Sequence, residues 1–481
     1  MDSPTIEFEE INLDSQETLE EESDQEEIEN KNIEFLYDKL TENDLEQTVE
    51  TIFQLTEEFV IKEIQQVSKP DFMNCLVSSI AEILFDTFIQ GSIFEGNEYE
   101  YDVLLEYIEK VCNEWFEQNQ ITFPLRQYPH MNYNIYEVAF GLDEEFILEL
   151  NKNLIDNLQE KNRLLPSQKT PEWYSSRHNM ITASNLWQIF GTPASQNRLI
   201  YEKCQPMSQP LVEPIFVNTE LSTHWGVKYE PVSTSFYEKL VGTSVASFGC
   251  LSHPKYPFLG ASPDGIVVDP DSPYLGRMLE IKNIVNREID GIPSEAYWIQ
   301  MQIQMEVCEL EACDFLETRF KEYETEEDFY KDTTFDMMAT DESSTVTTVA
   351  SHMTVASLRK GIILYFVKRG EQVPQYCYMP LDIPINKETI DKWITEQKET
   401  RINQDPQQFL FKTIYWYLEE YSLITVRRNE AWFKSAIPQI TDFWKLIEQE
   451  RINGYEHRAP KMRIRSNTEP ELTVIKLEDT A

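Results

Sequence analysis

The chain has 481 residues, 85 acidic and 41 basic side chains, and a formal net charge of −44. With 41% hydrophobic and 12% aromatic residues it can bury a sizeable core, which excludes a wholly disordered polymer. It shows no N-terminal apolar stretch of signal-peptide type and no run of about 18 apolar residues, so a soluble intracellular protein with no membrane partner is expected.

The charge is uneven. Residues 1–165 hold 40 acids and 9 bases, net −31; residues 166–481 hold 45 acids and 32 bases, net −13. Affinity for nucleic acid comes largely from cations meeting phosphates. Any such surface is therefore expected as a local positive lining in the second part of the chain. The cysteines (Cys75, Cys112, Cys204, Cys250, Cys308, Cys313, Cys377) are scattered without a CxxC pair, which suggests neither a zinc site nor a disulfide framework.

In chain order, residues 1–30 are dominated by Glu, Asp, Ser and Gln and are expected to be a disordered, solubilising tail, with partner docking or DNA mimicry as the alternative. Residues 31–165 are expected to form a helical accessory domain. Ile33, Leu36, Leu40 and Leu45 recur near helical spacing, as do Ile52, Leu55, Phe59, Val60 and Ile64. Pro70 interrupts, and further amphipathic stretches cover about 72–89, 100–118 and 143–160.

The character changes near Ser167. Thr170 is placed to cap a short helix with Pro171 at its first position, and that helix carries Arg177. Ser184 is placed to cap the next one and to offer an anion site. Residues 220–240 are expected to be a long helix carrying His224, Trp225, Tyr229 and Glu230. Gly226 would permit close backbone approach, and Pro231 predicts a break or kink after Glu230.

The centre of the chain is Gly260 to Lys282. The turn Ser262-Pro263-Asp264-Gly265 leads into Ile266-Val267-Val268, and a Pro/Asp/Gly-rich loop leads on to Met278-Leu279-Glu280-Ile281-Lys282. Side chains alternate along a strand, so Leu279 and Ile281 should face a core while Glu280 and Lys282 share the other face. Two strands joined this way place Asp264 beside Glu280. Crowded carboxylates are unfavourable unless neutralised, and a divalent cation does that. An acid-x-lysine on a strand also describes a plain solvated edge. Beyond it, Tyr297–Leu310 is expected to be a helix with Gln300 and Gln304 on one face and Gln302 to the side. Cys313–Phe320 and Gly361–Val367 should be strands, the latter paired with Gln375–Met379. Residues 321–356 are expected to be an insertion, 386–402 a helix, 403–460 aromatic-rich helices, and 461–481 a flexible tail bearing Lys461, Arg463 and Arg465.

Pro263-Asp264, fifteen intervening residues and Glu280-Ile281-Lys282 resemble the PD-(D/E)XK nuclease signature. Together with Trp173-x3-Arg177, Thr182-Ala183-Ser184, Trp225-Gly226-x2-Tyr229-Glu230 and Gln300-x-Gln302-x-Gln304, the order is similar to the YqaJ-type viral recombinases, which include the phage lambda-type exonuclease. The resemblance covers roughly residues 166–320. It implies an α/β (α+β) fold: a restriction-endonuclease-like core (166–402) with a mixed central sheet flanked by helices, plus helical N- and C-terminal extensions. It also implies a deoxyribonuclease of double-stranded DNA from a large DNA virus, at a viral replication site or in the host cytoplasm. Asp264, Glu280, Glu230 and the Ile281 carbonyl would hold Mg²⁺, with Mn²⁺ as the alternative ion. Lys282 would position water, and Gln302 would join the catalytic set. Arg177, Ser184 and Gln300 would bind substrate, Arg177 at a terminal 5′ phosphate. A homo-oligomer and a single-strand annealing partner are further implications. An endonuclease on the same fold and a catalytically silent binding protein remain alternatives.

Overall fold

The computed structural model describes residues 35–119, 124–126, 144–168, 170–207, 217–219, 221–332, 360–371 and 373–460. The expected acidic tail, residues 333–356 of the expected insertion, and the basic stretch with Lys461, Arg463 and Arg465 lie outside them.

Helix α1 (Glu42–Lys62) starts on a reciprocal cap. The Thr41 hydroxyl accepts the Asp44 N–H at 3.3 Å, and the Asp44 carboxylate accepts the Thr41 N–H at 3.0 Å. Two of the donors that a helix start leaves open are thereby satisfied. Its buried stripe is Leu45, Thr48, Ile52, Thr56 and Val60. Helices α2 (Phe72–Gln90), α3 (Glu98–Asn119) and α4 (Glu144–Arg163) follow. Among the described residues one helix, α2, is long and apolar enough by length and composition to cross a membrane. Its Leu76, Ile80, Leu84 and Phe88 are buried in the protein's main core, as a core helix requires.

The second part alternates strands and helices. Helix α5 (Pro171–His178) is capped by Thr170, whose hydroxyl accepts the Trp173 N–H at 3.3 Å. Then come β1 (Ile181–Thr182), the single turn α6 (Ala183–Leu186), α7 (Pro193–Cys204) and α8 (Ser222–Val241). Five strands follow: β2 (Val245–Ala246), β3 (Leu251–Ser252), β4 (Leu259–Ala261), β5 (Gly265–Val267) and β6 (Met278–Asn283). The rest are α9 (Glu295–Cys308), β7 (Ala312–Glu322), α10 (Glu326–Lys331), β8 (Lys360–Lys368), β9 (Gln375–Tyr378), α11 (Lys387–Gln404), β10 (Gln408–Arg427) and α12 (Glu430–Asn453).

The fold is mixed α/β. Seven strands form one sheet in the order β2-β5-β6-β7-β10-β8-β9, and β1-β4-β3 form a small second sheet. Only β6 and β7 run parallel within the seven, with Glu280 beside Phe315 and Lys282 beside Glu317. Helix α8 covers one face of the large sheet over Val267, Leu279, Ile281, Ile363 and Trp416. Helix α11 covers part of the opposite face over Ile362, Leu364 and Phe366. This is the helix-flanked mixed core that the nuclease signature implies.

Two expectations fail. Residues 408–427, expected as helix, form a 20-residue strand that bridges the sheet, pairing with β7 through its C-terminal half and β8 through its N-terminal half. Its Phe409, Phe411, Tyr415, Trp416 and Tyr417 are therefore strand residues. Gly361 of β8 is glycine for a visible reason, since a Cβ there would sit 2.7 Å from Trp416 Cζ2. Helix α8 also runs unbroken through Pro231. A proline removes one ladder donor and crowds the preceding turn. Here the carbonyl left without its ladder donor is that of Val227, and side chains from the sheet bond the carbonyls on either side of it: Asn283 Nδ2 donates to Gly226 at 3.1 Å and the Tyr378 hydroxyl to Lys228 at 2.9 Å.

The N-terminal helices share the main core with α9 and α12. Polar ties join them to the loop and cap that start α9: Lys69 Nζ lies 2.7 Å from Glu295 Oε1, and Arg126 donates to the Pro293 carbonyl at 2.7 Å. The start of α9 is thus held from the helical side, which matters because α9 carries the glutamines of the site.

Candidate active site

Strand β6 pairs antiparallel with β5, Gly265 opposite Leu279, which returns the chain so that Asp264 lies against the middle of β6. Alternate residues of β6 send their N–H groups to opposite edges. The Ile284 N–H goes to the Thr318 carbonyl on β7, and the Ile281 N–H goes to Asp264 Oδ2 at 2.7 Å. The Ile281 carbonyl therefore emerges on the Asp264 side.

Glu280 is buried at 1% exposure. Its Oε1 accepts Lys282 Nζ and, at 2.6 Å, Gln300 Nε2; its Oε2 accepts Gln304 Nε2 at 2.7 Å. Gln300 and Gln304 meet it because residues four apart on a helix share a face. Burial, then the neighbouring Glu280 charge, push the Asp264 carboxyl well above the usual carboxylate range, against the pull of Lys282 and the Ile281 N–H. Burial works against the Lys282 ammonium, but Glu280 and Asp264 outweigh it and raise its pKa. The Lys282 ammonium also sits 4.7 Å from the Tyr297 ring centroid.

Asp264, Glu280, Ile281, Lys282, Gln300 and Gln304 line one open cavity of roughly 560 Å³ together with Glu230 of α8, Arg177 and Ser184. Arg177 Nη1 donates to the Ser262 hydroxyl at 3.3 Å, and its guanidinium lies 4.5 Å from the Trp173 ring centroid. Ser184 is not a cap. Thr182 precedes the single turn α6, without a side-chain cap bond, and its hydroxyl lies 3.3 Å from Ser184 Oγ. Gly226 lines the same cavity, and a Cβ there would meet nothing within 4 Å, so it opens space rather than permitting close approach.

Gln302 is placed elsewhere. It is fully buried on the far side of α9, donating to the Arg427 carbonyl at 2.8 Å and accepting the Asn429 N–H at 2.7 Å. It ties α9 to the end of β10 and does not line the cavity. Gln304, and not Gln302, lines the cavity beside Gln300. The i, i+4 spacing with Gln300 was the available signal. Also missed was Lys203, buried behind α5, whose Nζ donates to the Arg177 carbonyl at 2.9 Å. His224 and His253 take structural partners: Nε2 of His224 is 2.8 Å from the Tyr376 hydroxyl, and Nδ1 of His253 accepts the Lys255 N–H.

Among the described residues no three His, Cys, Asp or Glu side chains gather closely enough to form a complete cage for a metal ion. The donors present nonetheless suit a hard cation that keeps several waters: two carboxylates and a carbonyl. Two observations favour the fit. The acid pair favours protonation of Asp264 when no positive charge is bound, and the buried Gln304 Oε1 has no hydrogen-bond partner beside it.

Residues 172–311 match the YqaJ-like viral recombinase domain. The chain is 30% identical over 305 residues to protein R354 of Acanthamoeba polyphaga mimivirus, a match covering 58% of this chain and 52% of that protein. It thus spans about half the length of this curated relative. Solved structures similar to it include an alkaline exonuclease (LHK-Exo) of Laribacter hongkongensis, alone and in complex with dAMP. Both are 17% identical, covering 59% of this chain and 95% of theirs, with TM-scores of 0.31 and 0.32.

Proposed function

We propose that this chain, which carries a YqaJ-like viral recombinase domain at residues 172–311, is a divalent-cation-dependent deoxyribonuclease. It hydrolyses phosphodiester bonds of double-stranded DNA from an end, 5′ to 3′, in viral recombination, repair or the processing of replicated DNA. The observation that carries the reading is the convergence of Asp264, Glu280 and Lys282 with Gln300, Gln304, Glu230 and Arg177 on one cavity.

Asp264, Glu280 and the Ile281 carbonyl hold the cation, Mg²⁺ in preference, and Glu230 supports it or its water. When bound, the ion supplies a nucleophilic water and offsets charge on the phosphoryl oxygens. Lys282, fixed by Glu280, places an ammonium beside the reacting phosphate and orients the attacking water. Gln300 and Gln304 hold the Glu280 carboxylate in one rotamer. Arg177, with a hydroxyl and an indole ring as neighbours, receives a terminal phosphate, and Ser184, which lines the same cavity, assists it. Such a phosphate contact makes hydrolysis end-dependent.

The test is purified protein with Mg²⁺ on linear, nicked and covalently closed DNA labelled at either end. Release of nucleotides from the 5′ label of linear duplex alone is expected, abolished by Asp264→Asn or Glu280→Gln. Equal cleavage of closed circles would replace this reading with an endonuclease. Release unchanged in both variants would remove the catalytic assignment.

A further inference from the structure

Helix α5, which carries Arg177, is eight residues long, and none of its side chains is buried. A helix this short is not stable by itself, and apolar packing is what usually holds one in place. Its start is fixed by the Thr170 cap and its end by other helices. The last four carbonyls of a helix lack a partner in the ladder, and cations are favoured there. Lys203, in the last turn of α7, donates to the Arg177 carbonyl at 2.9 Å. Arg451 of α12 donates through Nη2 to the His178 carbonyl and through Nε to the Lys203 carbonyl, both at 2.9 Å.

Both cations are built into the fold. Lys203 is 4% exposed, and burial lowers its pKa to about 8 against the pull of Glu202. A buried ammonium weakens the fold unless its bonds are made. Here one bond goes to the backbone of the residue whose side chain enters the cavity. Arg451 is half-buried, with its guanidinium 5.3 Å from the Trp444 ring centroid. It links the ends of α5 and α7 with a single planar fork, a geometry that lysine does not supply. Helix α12 is itself fixed along α7. Cys204 Sγ lies 3.6 Å from the Ile447 carbonyl, and Arg458, just past α12, donates to Asn197 Oδ1 at 2.5 Å.

We propose that Lys203 and Arg451 are positioning residues for Arg177: a clamp on the carbonyl end of α5 that sets the guanidinium where a terminal phosphate enters the cavity. The inference rests on the reading of Arg177 as the phosphate contact and deepens it. At its side-chain end Arg177 meets the Ser262 hydroxyl at 3.3 Å, a long bond, and the ring of Trp173, which belongs to the same short helix and moves with it. The clamp on the backbone therefore decides where the guanidinium sits. Arg451 lies beyond the matched residues 172–311, so the clamp makes the C-terminal helix part of the site.

The test is binding measured by anisotropy in EDTA, where hydrolysis is suppressed, of one duplex carrying either a 5′ phosphate or a 5′ hydroxyl. Wild type should prefer the phosphorylated duplex about tenfold or more, the worth of one hydrogen bond to a charged group, and Arg177→Ala should remove the preference. Lys203→Met and Arg451→Met should each cut the preference at least about threefold, the low end of the coupling within one network, with affinity for the hydroxyl duplex unchanged. In the Arg177→Ala background neither should alter binding of the phosphorylated duplex, whereas a general loss of stability would act in both backgrounds. Circular dichroism checks the fold. If Lys203→Met does not fold, Arg451→Met, at a half-buried position on another helix, carries the test. A wild type without the preference, or clamp variants that retain it in full, overturns the clamp. If wild type hydrolyses no DNA while the preference still depends on Lys203 and Arg451, the proposed activity fails and the clamp stands.

Discussion

The two glutamines of α9 give the sharpest test of the geometry. Gln302 makes a part-buried bond to the Arg427 carbonyl and a buried one from the Asn429 N–H. Gln302→Met keeps the volume but strands the buried Asn429 N–H and removes one donor from the Arg427 carbonyl. An orphaned buried group costs about 1–3 kcal/mol, so the variant should lose that much stability. No cavity atom changes, so its initial rate of nucleotide release at a temperature where it stays folded should fall no more than about threefold, a barrier change under 1 kcal/mol. Gln304→Met removes a hydrogen bond to the Glu280 carboxylate, a bond to a charged group worth about 1.5–3 kcal/mol. If that bond holds Glu280 for catalysis, the rate should fall about 10- to 100-fold. Urea unfolding gives the first quantity and end-labelled duplex the second. A Gln302 variant that unfolds like wild type yet releases no nucleotide would refute the placement and restore the family-motif assignment.

Burial and Glu280 raise the Asp264 pKa in the fold, so the stability that goes with its neutral form is present at low pH and is lost as pH rises through the raised value. Asp264→Asn should therefore melt above wild type in EDTA at mildly alkaline pH, and Mg²⁺ should close the gap by raising only the wild type. A wild type indifferent to Mg²⁺ in thermal unfolding contradicts the proposed ligand set. Arg177→Ala should slow hydrolysis of 5′-phosphorylated duplex at least tenfold more than of 5′-hydroxyl duplex, and equal effects would remove its role. Gly361→Ala forces a Cβ to 2.7 Å from Trp416 and should cost about 1–3 kcal/mol in urea unfolding, the usual penalty of overpacking.

What the sequence made legible, and what it hid, follows from whether the signal was local. The β5–β6 hairpin was readable because turn residues bound two short runs and period-2 alternation sorted Leu279 and Ile281 from Glu280 and Lys282. Strand β10 was not. It is covered by α8 on one face and in part by α11 on the other, so Tyr415, Trp416 and Tyr417 are consecutive apolar residues without alternation. Burial does alternate over Ile414, Trp416 and Leu418, but with apolar residues on both faces the sequence itself cannot be told from a helix segment by periodicity. Pro231 misled for a different reason: the sheet residues that tie down this stretch of the helix, Asn283 and Tyr378, lie 57 and 150 residues away from the carbonyls they reach. For the site, helical spacing already paired Gln300 with Gln304. The motif assignment of Gln302 overrode it, and the structure follows the spacing.

A net charge of −44 weighs against the proposed action on DNA, and the pairing of cations reconciles the two. Arg277 is bonded to Asp314 at 2.7 Å, Arg428 to Glu306 at 2.9 Å, and Lys228 to Glu322 at 2.5 Å; Arg287 and Arg319 pair with Glu317 and Glu420. These cations stabilise the sheet and its helices and have little charge left for phosphate. Arg177 differs. Among the described residues no carboxylate pairs with it, and its neighbours are the Ser262 hydroxyl and the Trp173 ring. Paired cations contribute little to the field outside the protein, while an unpaired guanidinium in a cavity meets a phosphate with little competition from water. If the proposed function holds, an acidic exterior weakens nonspecific binding along duplex DNA without weakening the end contact proposed for Arg177. On this reasoning the acid-rich first 165 residues would favour selection of an end, because the proposed contact is made inside the cavity.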